Sequence, residues 1–200
     1  MTRESNTRKN AQYLALIADD SRTTDTPTPR PDPAAILKVI LQLAVTCQSA
    51  GEDDAAIQFF SQGARLAERA GDTQGLASAL ILSAEIKARH GRRGEALSDF
   101  QRALLLEASS SVGVQAVDWF RYGRFLHQQK VDTRLCFASF TKAEVLLEAE
   151  KDSEDSEINS LRGAIKSELN AIGPELDAVT RDAIKVDLSV VLQEALTLKF

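Results

Sequence analysis

Residues 92–108 read RRGEALSDFQRALLLEA, and the alanine and phenylalanine of this stretch return at one fixed distance on either side. Forty residues before Ala96 and Phe100 stand Ala56 and Phe60, in EDDAAIQFFSQGARLAE. Forty residues after them stand Cys136 and Phe140, in TRLCFASFTKAEVLLEA. Gly63, Ala103 and Ala143 form a third series at the same period. One helical hairpin cannot bury its apolar stripe alone, whereas stacked copies can, so a fixed period of this kind predicts a solenoid. The small residues are expected where two helices approach closely. The phenylalanines are expected in the wedge between successive hairpins.

Apolar residues at three-and-four spacing mark the helices themselves. Ile36, Ile40, Leu43, Ala44 and Cys47 share one face of a first helix that Gly51 ends. A second helix runs over about 53–69, with Ile57, Phe60, Ala64 and Ala67 on one side, and Ala70-Gly71-Asp72 breaks it. A third covers 73–89 up to Gly91, and a fourth covers 94–108. SSSVG at 109–113 is the next break. Val117, Phe120, Gly123 and Leu126 define a fifth helix; Cys136, Phe140, Ala143 and Leu147 define a sixth. Three hairpins follow, at 34–72, 73–112 and 113–150.

The two ends differ from this middle. Residues 1–33 hold four of the five prolines, in SRTTDTPTPRPDP, and are expected to be an extended tail, with a short helix allowed around 10–20. Residues 148–157 carry six acids against one lysine and suit a solvated connection. Beyond it, Ile158, Leu161, Ile165, Leu169 and Ile172 predict a seventh helix, which Gly173-Pro174 ends. An eighth is expected to reach the C-terminus through Leu176, Val179, Ile184, Leu188 and Leu192. IKVDLSVVL also alternates with period two, so a strand stays open there. Residues 151–200 are expected to cap the open end of the solenoid, or to pair with a partner or a second copy.

The hairpin pattern resembles the tetratricopeptide repeat over about residues 34–150. That family carries W-x2-L-G-x2-Y on the first helix and A-x3-F on the second. The third unit matches best, with Trp119, Tyr122, Gly123 and Leu126, then Cys136, Phe140 and Ala143. The first has Ile40, Leu43, Ala44 and Cys47, then Ala56, Phe60 and Gly63; the second has Leu80, Ser83, Ala84 and Lys87, then Ala96, Phe100 and Ala103. Family units have about 34 residues, and the longer spacing here, with LAERAGDTQGLASALILSAEI at 66–86, is similar to the variety in mitotic-spindle adaptors and kinesin light chains. The family proline after the second helix is absent, and Lys87 stands where a tyrosine is usual. The resemblance implies an all-α, right-handed superhelical solenoid of antiparallel helix pairs, three hairpins plus C-terminal capping helices, that recognises proteins. It implies that first helices line a concave groove. Carried over, the groove positions are Lys38, Leu41, Gln42 and Val45; Ser78, Ile81, Leu82, Glu85 and Arg89; and Phe120, Arg121, Arg124, His127 and Gln128. The lysine–asparagine set with which some members grip a C-terminal carboxylate is missing.

Composition narrows the function further. A net charge of -5 opposes nonspecific nucleic-acid binding, which needs a positive surface. No apolar run approaches the roughly 20 residues of a membrane span, and YLALIA at 13–18 is too short for a secretory core, so a cytoplasmic location is expected. Cys47 and Cys136 form no CxxC, and His90 and His127 are the only histidines, so no metal site, disulfide framework or cofactor is expected. GRRG and RYGR lack the strand–loop–helix setting of a phosphate loop. No convergent nucleophile, base and acid can be assembled, and no catalytic residue is assigned. The expectation is a non-catalytic scaffold or adaptor that binds a protein or peptide, acidic or amphipathic, through Lys38, Arg89, Phe120, Arg121, Arg124 and His127. Arginine suits such a role because its planar fork donates two parallel hydrogen bonds to a carboxylate. The alternative is a regulatory or sensory domain that forms a homodimer through its C-terminal helices.

Overall fold

A computed structural model of the chain describes residues 32–106, 110–150 and 155–200. The expected N-terminal tail and its short helix lie outside the described residues, as does the end of the fourth helix beyond Leu106. The described residues form one compact unit beginning at Asp32. They are all-α: α1 (Pro33–Ser49), α2 (Asp53–Ala70), α3 (Thr73–Arg89), α4 (Arg93–Leu105), α5 (Val112–Gln128), α6 (Thr133–Glu148) and α7 (Ser156–Ile172), then a 3-10 turn (Gly173–Glu175), α8 (Ala178–Val186) and α9 (Leu188–Thr197). No strand occurs among the described residues, so the alternating pattern at 184–192 forms helix instead. Among them, no helix is long and apolar enough to cross a membrane.

Local chemistry sets the helix ends. Asp32, Asp72, Ser111, Asp132, Asp155 and Asp177 each cap an N-terminus by accepting a hydrogen bond from a first-turn backbone N–H. Pro33 opens α1, where its missing N–H costs nothing. The C-termini of α1, α2 and α3 repeat one motif. Gly51, Gly71 and Gly91 take φ values of 74°, 70° and 74°. The next N–H then reaches back to the carbonyl of Cys47, Ala67 or Lys87 at 2.8, 2.9 and 2.9 Å. This left-handed cap satisfies carbonyls that the helix leaves unpaired. The same motif closes α5, where Val131 N–H donates to Leu126 O at 3.1 Å, but Lys130 holds the left-handed position at φ 55°.

Helices adjacent in sequence pack against one another, which is the arrangement of a helical-repeat solenoid. Ala56, Ala96 and Cys136 are all buried, as are Phe60, Phe100 and Phe140, and Gly63, Ala103 and Ala143. The phenylalanines nevertheless differ in their neighbours. Phe100 bridges two hairpins: its ring centroid lies 5.7 Å from Tyr122 and 5.0 Å from Phe125, both on α5. Phe140 packs within its own hairpin, 5.8 Å from Phe120 and hard against Gly123. A Cβ at Gly123 would stand 2.7 Å from that ring, so the absent side chain is what admits it. Lys87 is buried and donates to Asp99 of α4 at 2.5 Å. Pairing with a carboxylate makes a buried ammonium tolerable.

The C-terminal cap forms, but in two pieces. The expected single eighth helix breaks at Asp187, which ends α8 and precedes α9. Both pieces pack on α6 rather than pairing with α7. Thr133 on α6 donates to Glu175, and α9 runs back to earlier units. There Gln101 Nε2 of α4 donates to the carbonyls of Ala195 and Leu198, Tyr122 Oη of α5 donates to Ala195 O at 2.5 Å, and Phe200 meets the Phe125 ring edge-on. α4 and α5 touch along only a short stretch, and this returning segment fills the seam between them.

Candidate functional site

The first helices α1 and α3 enclose an open, largely apolar groove of about 830 Å³. Its walls are Leu37, Lys38, Leu41, Gln42 and Val45 from α1 and Gln74, Gly75 and Ser78 from α3. Five residues expected from the sequence, Lys38, Leu41, Gln42, Val45 and Ser78, therefore line one surface. Gly75 sets how closely the helices approach, since a Cβ there would lie 2.8 Å from Leu37 Cδ2. Lys38 and Val45 are exposed, so an ammonium and an apolar side chain both face solvent.

Further along, α5 carries the second group. Arg121 Nε lies 3.5 Å from Glu85 of α3. Arg124 Nε and His127 Nδ1 each lie 3.7 Å from Glu168 of α7. The guanidinium of Arg124 also stands 5.9 Å above the half-buried Phe120 ring. Phe120, Arg121, Arg124 and His127 thus gather on one helix, and their charges alternate with carboxylates from the flanking first helices. Half of the Arg124 and His127 side chains remains open to solvent (52% and 46%), so an incoming carboxylate can compete with Glu168. Such partly exposed pairs are weak, typically under about 1 kcal/mol.

Two expected positions fall elsewhere. Arg89 leaves the groove set: it donates to Asp53 of α2 at 3.2 Å, beside His90, whose Nε2 lies 2.7 Å from the same carboxylate. The His90 hydrogen bond and the Arg89 charge hold the Asp53 carboxyl below its ordinary range. Ile81 is fully buried core.

Sequence reasoning missed Glu168 and Asp118. Glu168 lies among apolar residues of α7 whose spacing shows only a core-facing stripe. Asp118 is buried on α5 (5% exposed), next to Trp119. Loss of water pushes its carboxyl up to about 6; Arg121 draws it down and Glu85 pushes it further up. The signal available was an acid one residue before Trp119, inside the first turns of a helix. Cys136 is buried and its thiol is pushed up to about 12 by desolvation, which makes it a core residue rather than a nucleophile. Against known protein families and curated proteins, the chain matches none.

Proposed function

We propose that this chain is a non-catalytic adaptor built from tetratricopeptide-like repeats, and that its first-helix groove holds an amphipathic segment of a partner protein. The observation that carries the reading is the α1–α3 groove. Leu37, Leu41 and Val45 offer an apolar floor, and Lys38 offers a charge for a carboxylate at its edge. A helix that lays apolar side chains at i, i+3 and i+4 into such a groove is a recurring mode of peptide recognition. The α5 cluster extends the same preference. Arg124 and His127 favour an acidic residue on the segment, in exchange for Glu168.

Selection from a displayed library of random peptides tests this directly. Selected binders should be amphipathic and acidic. Lys38→Glu with Val45→Glu, both exposed, should abolish their binding while the far-ultraviolet circular dichroism stays unchanged. Arg121→Glu with Arg124→Glu should weaken it. Binders that ignore all four substitutions would place recognition on another surface.

A second reading rests on exposed apolar residues of the cap. Val179, Val186 and Val190 are 80%, 82% and 66% exposed. A regulatory domain that dimerises through these helices would use them. Light scattering of the full chain and of Val186→Glu with Val190→Glu separates the readings: a dimer that the variant dissolves favours dimerisation.

A further inference from the structure

α5 buries one carboxylate without a partner. Asp118 is 5% exposed, and among the described residues it makes no hydrogen bond and no ion pair. Partly buried acids elsewhere are held: Asp99 by Lys87, and Asp53 by Arg89 and His90. An unpaired buried carboxylate is costly in its ionised form. Two charged groups act on it. Arg121, one turn further along α5, attracts its charge, and Glu85 of α3 repels it. α4, α6 and α7, which also border α5, bring no described charge that acts on it.

The same Arg121 serves the surface. Its Nε lies 3.5 Å from Glu85, and the two side chains are 33% and 34% exposed. One guanidinium thus stands between a carboxylate open to solvent and a carboxylate in the core. With Asp118 ionised, these three groups sum to one negative charge; with Asp118 protonated, they sum to zero. A ligand carboxylate that approaches Arg121 meets that difference, and so close to a buried group water screens it only in part. At the far end of the cluster Arg124 and His127 share Glu168, and no charge there acts on Asp118.

We propose that protonation of Asp118 controls how tightly the α5 cluster holds an acidic ligand: the protonated chain accepts a carboxylate at Arg121, and the ionised chain resists it. The inference rests on the reading of Arg121 and Arg124 as contacts for an acidic segment. Because burial pushes Asp118 up to about 6, the control operates in mildly acidic solution. The coupling is reciprocal. A carboxylate bound at Arg121 adds a repulsion that makes Asp118 hold its proton more tightly, so binding near that pH takes up a proton.

Calorimetry of the full chain with the tightest acidic peptide from the displayed library, and with a copy of it whose acids are amides, tests the coupling. The acidic peptide should bind about tenfold more tightly at about pH 5 than at about pH 7.5, with a heat that depends on the ionisation enthalpy of the buffer. Asp118→Asn should hold the tighter affinity at both pH values and lose part of the proton uptake. His127→Gln, which removes the other group of the cluster able to take a proton, should keep the Asp118 share. The amide copy should bind without pH dependence. A pH dependence that persists in full in Asp118→Asn and vanishes in His127→Gln overturns the inference, as does equal affinity of the wild type at both pH values. Acidic peptides that bind Arg121→Glu with Arg124→Glu as well as they bind the wild type overturn the reading of the cluster itself, and the inference with it.

Discussion

Asp118→Asn should make the protein more stable at neutral pH, and the size of the gain follows from the burial of one carboxyl. The ordinary value for an aspartate is 3.8, and burial on α5 raises Asp118 to about 6. The folded chain therefore holds this proton more tightly than the unfolded chain does. Below pH 3.8 both states are protonated and the group contributes no difference. Between 3.8 and about 6 the unfolded chain releases its proton first, so stability falls as pH rises. Above about 6 the penalty is complete. A shift of roughly two units corresponds to about 3 kcal/mol, at 1.36 kcal/mol per unit.

Asparagine keeps the shape and removes the charge. The attraction of Arg121 is lost with it, but that attraction is already contained in the raised value, as is the repulsion of Glu85. The expected gain at neutral pH is about 1–3 kcal/mol, the lower end allowing for an amide that still needs partners. Urea unfolding of wild type and variant at about pH 4 and about pH 7.5 measures both ends. Asp53, Asp132 and Asp177, held below their ordinary values by hydrogen-bond partners, titrate alike in both proteins and cancel in the difference. A variant that is less stable than wild type at about pH 7.5 but not at about pH 4 would show that Asp118 is needed as a carboxylate. A gap between the proteins that is independent of pH would show that its proton is not displaced.

Phe100→Ala should cost about 3–5 kcal/mol, because the ring is buried between α4 and α5 against Tyr122 and Phe125; a loss below about 1 kcal/mol in denaturant unfolding removes it from that seam. Lys130→Gly should stabilise by about 1 kcal/mol, since the residue holds φ 55° in a turn whose counterparts are glycine; a thermal midpoint lower than wild type would refute this. Cys136, with its thiol pushed up to about 12, should resist thiol reagents at neutral pH in the native protein and react once denaturant is added. Rapid labelling of Cys136 in the folded chain would mean that this core opens readily.

The parts legible in the sequence are those that repeat. A period is visible because Ala96 and Phe100 need the same neighbours as Ala56 and Phe60, and helix ends were visible where glycine takes a left-handed turn. The parts that escaped are those without a second copy. Lys130 does the work of a turn glycine with no sign of it in its residue type. The break at Asp187 was hidden because Ile184, Leu188 and Leu192 keep four-residue spacing across it, so periodicity alone describes one helix. Lys38, Leu41, Gln42 and Val45 of α1, named from the resemblance alone, line one groove. Glu168, which meets Arg124 and His127, escaped, because α7 lies beyond the part of the chain that resembles the family.

The returning C-terminal segment changes how the solenoid should unfold. In a simple repeat array each unit touches only its neighbours, and stability is a sum of local terms. Here α9 packs on α6 while its carbonyls accept hydrogen bonds from Gln101 on α4 and Tyr122 on α5. It closes the seam at the point where α4 and α5 meet least. A chain ended after Asp187 loses buried Leu192 and Ala195 and strands the Tyr122 hydroxyl. The expected cost is at least about 3 kcal/mol, from the apolar burial and the orphaned donor together. The loss should be uneven. Amide exchange should accelerate in α5 and α6 and stay near wild type in α1 and α2, which α9 does not touch. Uniform acceleration along the chain would show that the repeats unfold as one body whatever closes the seam. Unchanged protection in α5 would show that α4 and α5 hold together without help, and α9 would then be a passenger on the fold rather than its clasp.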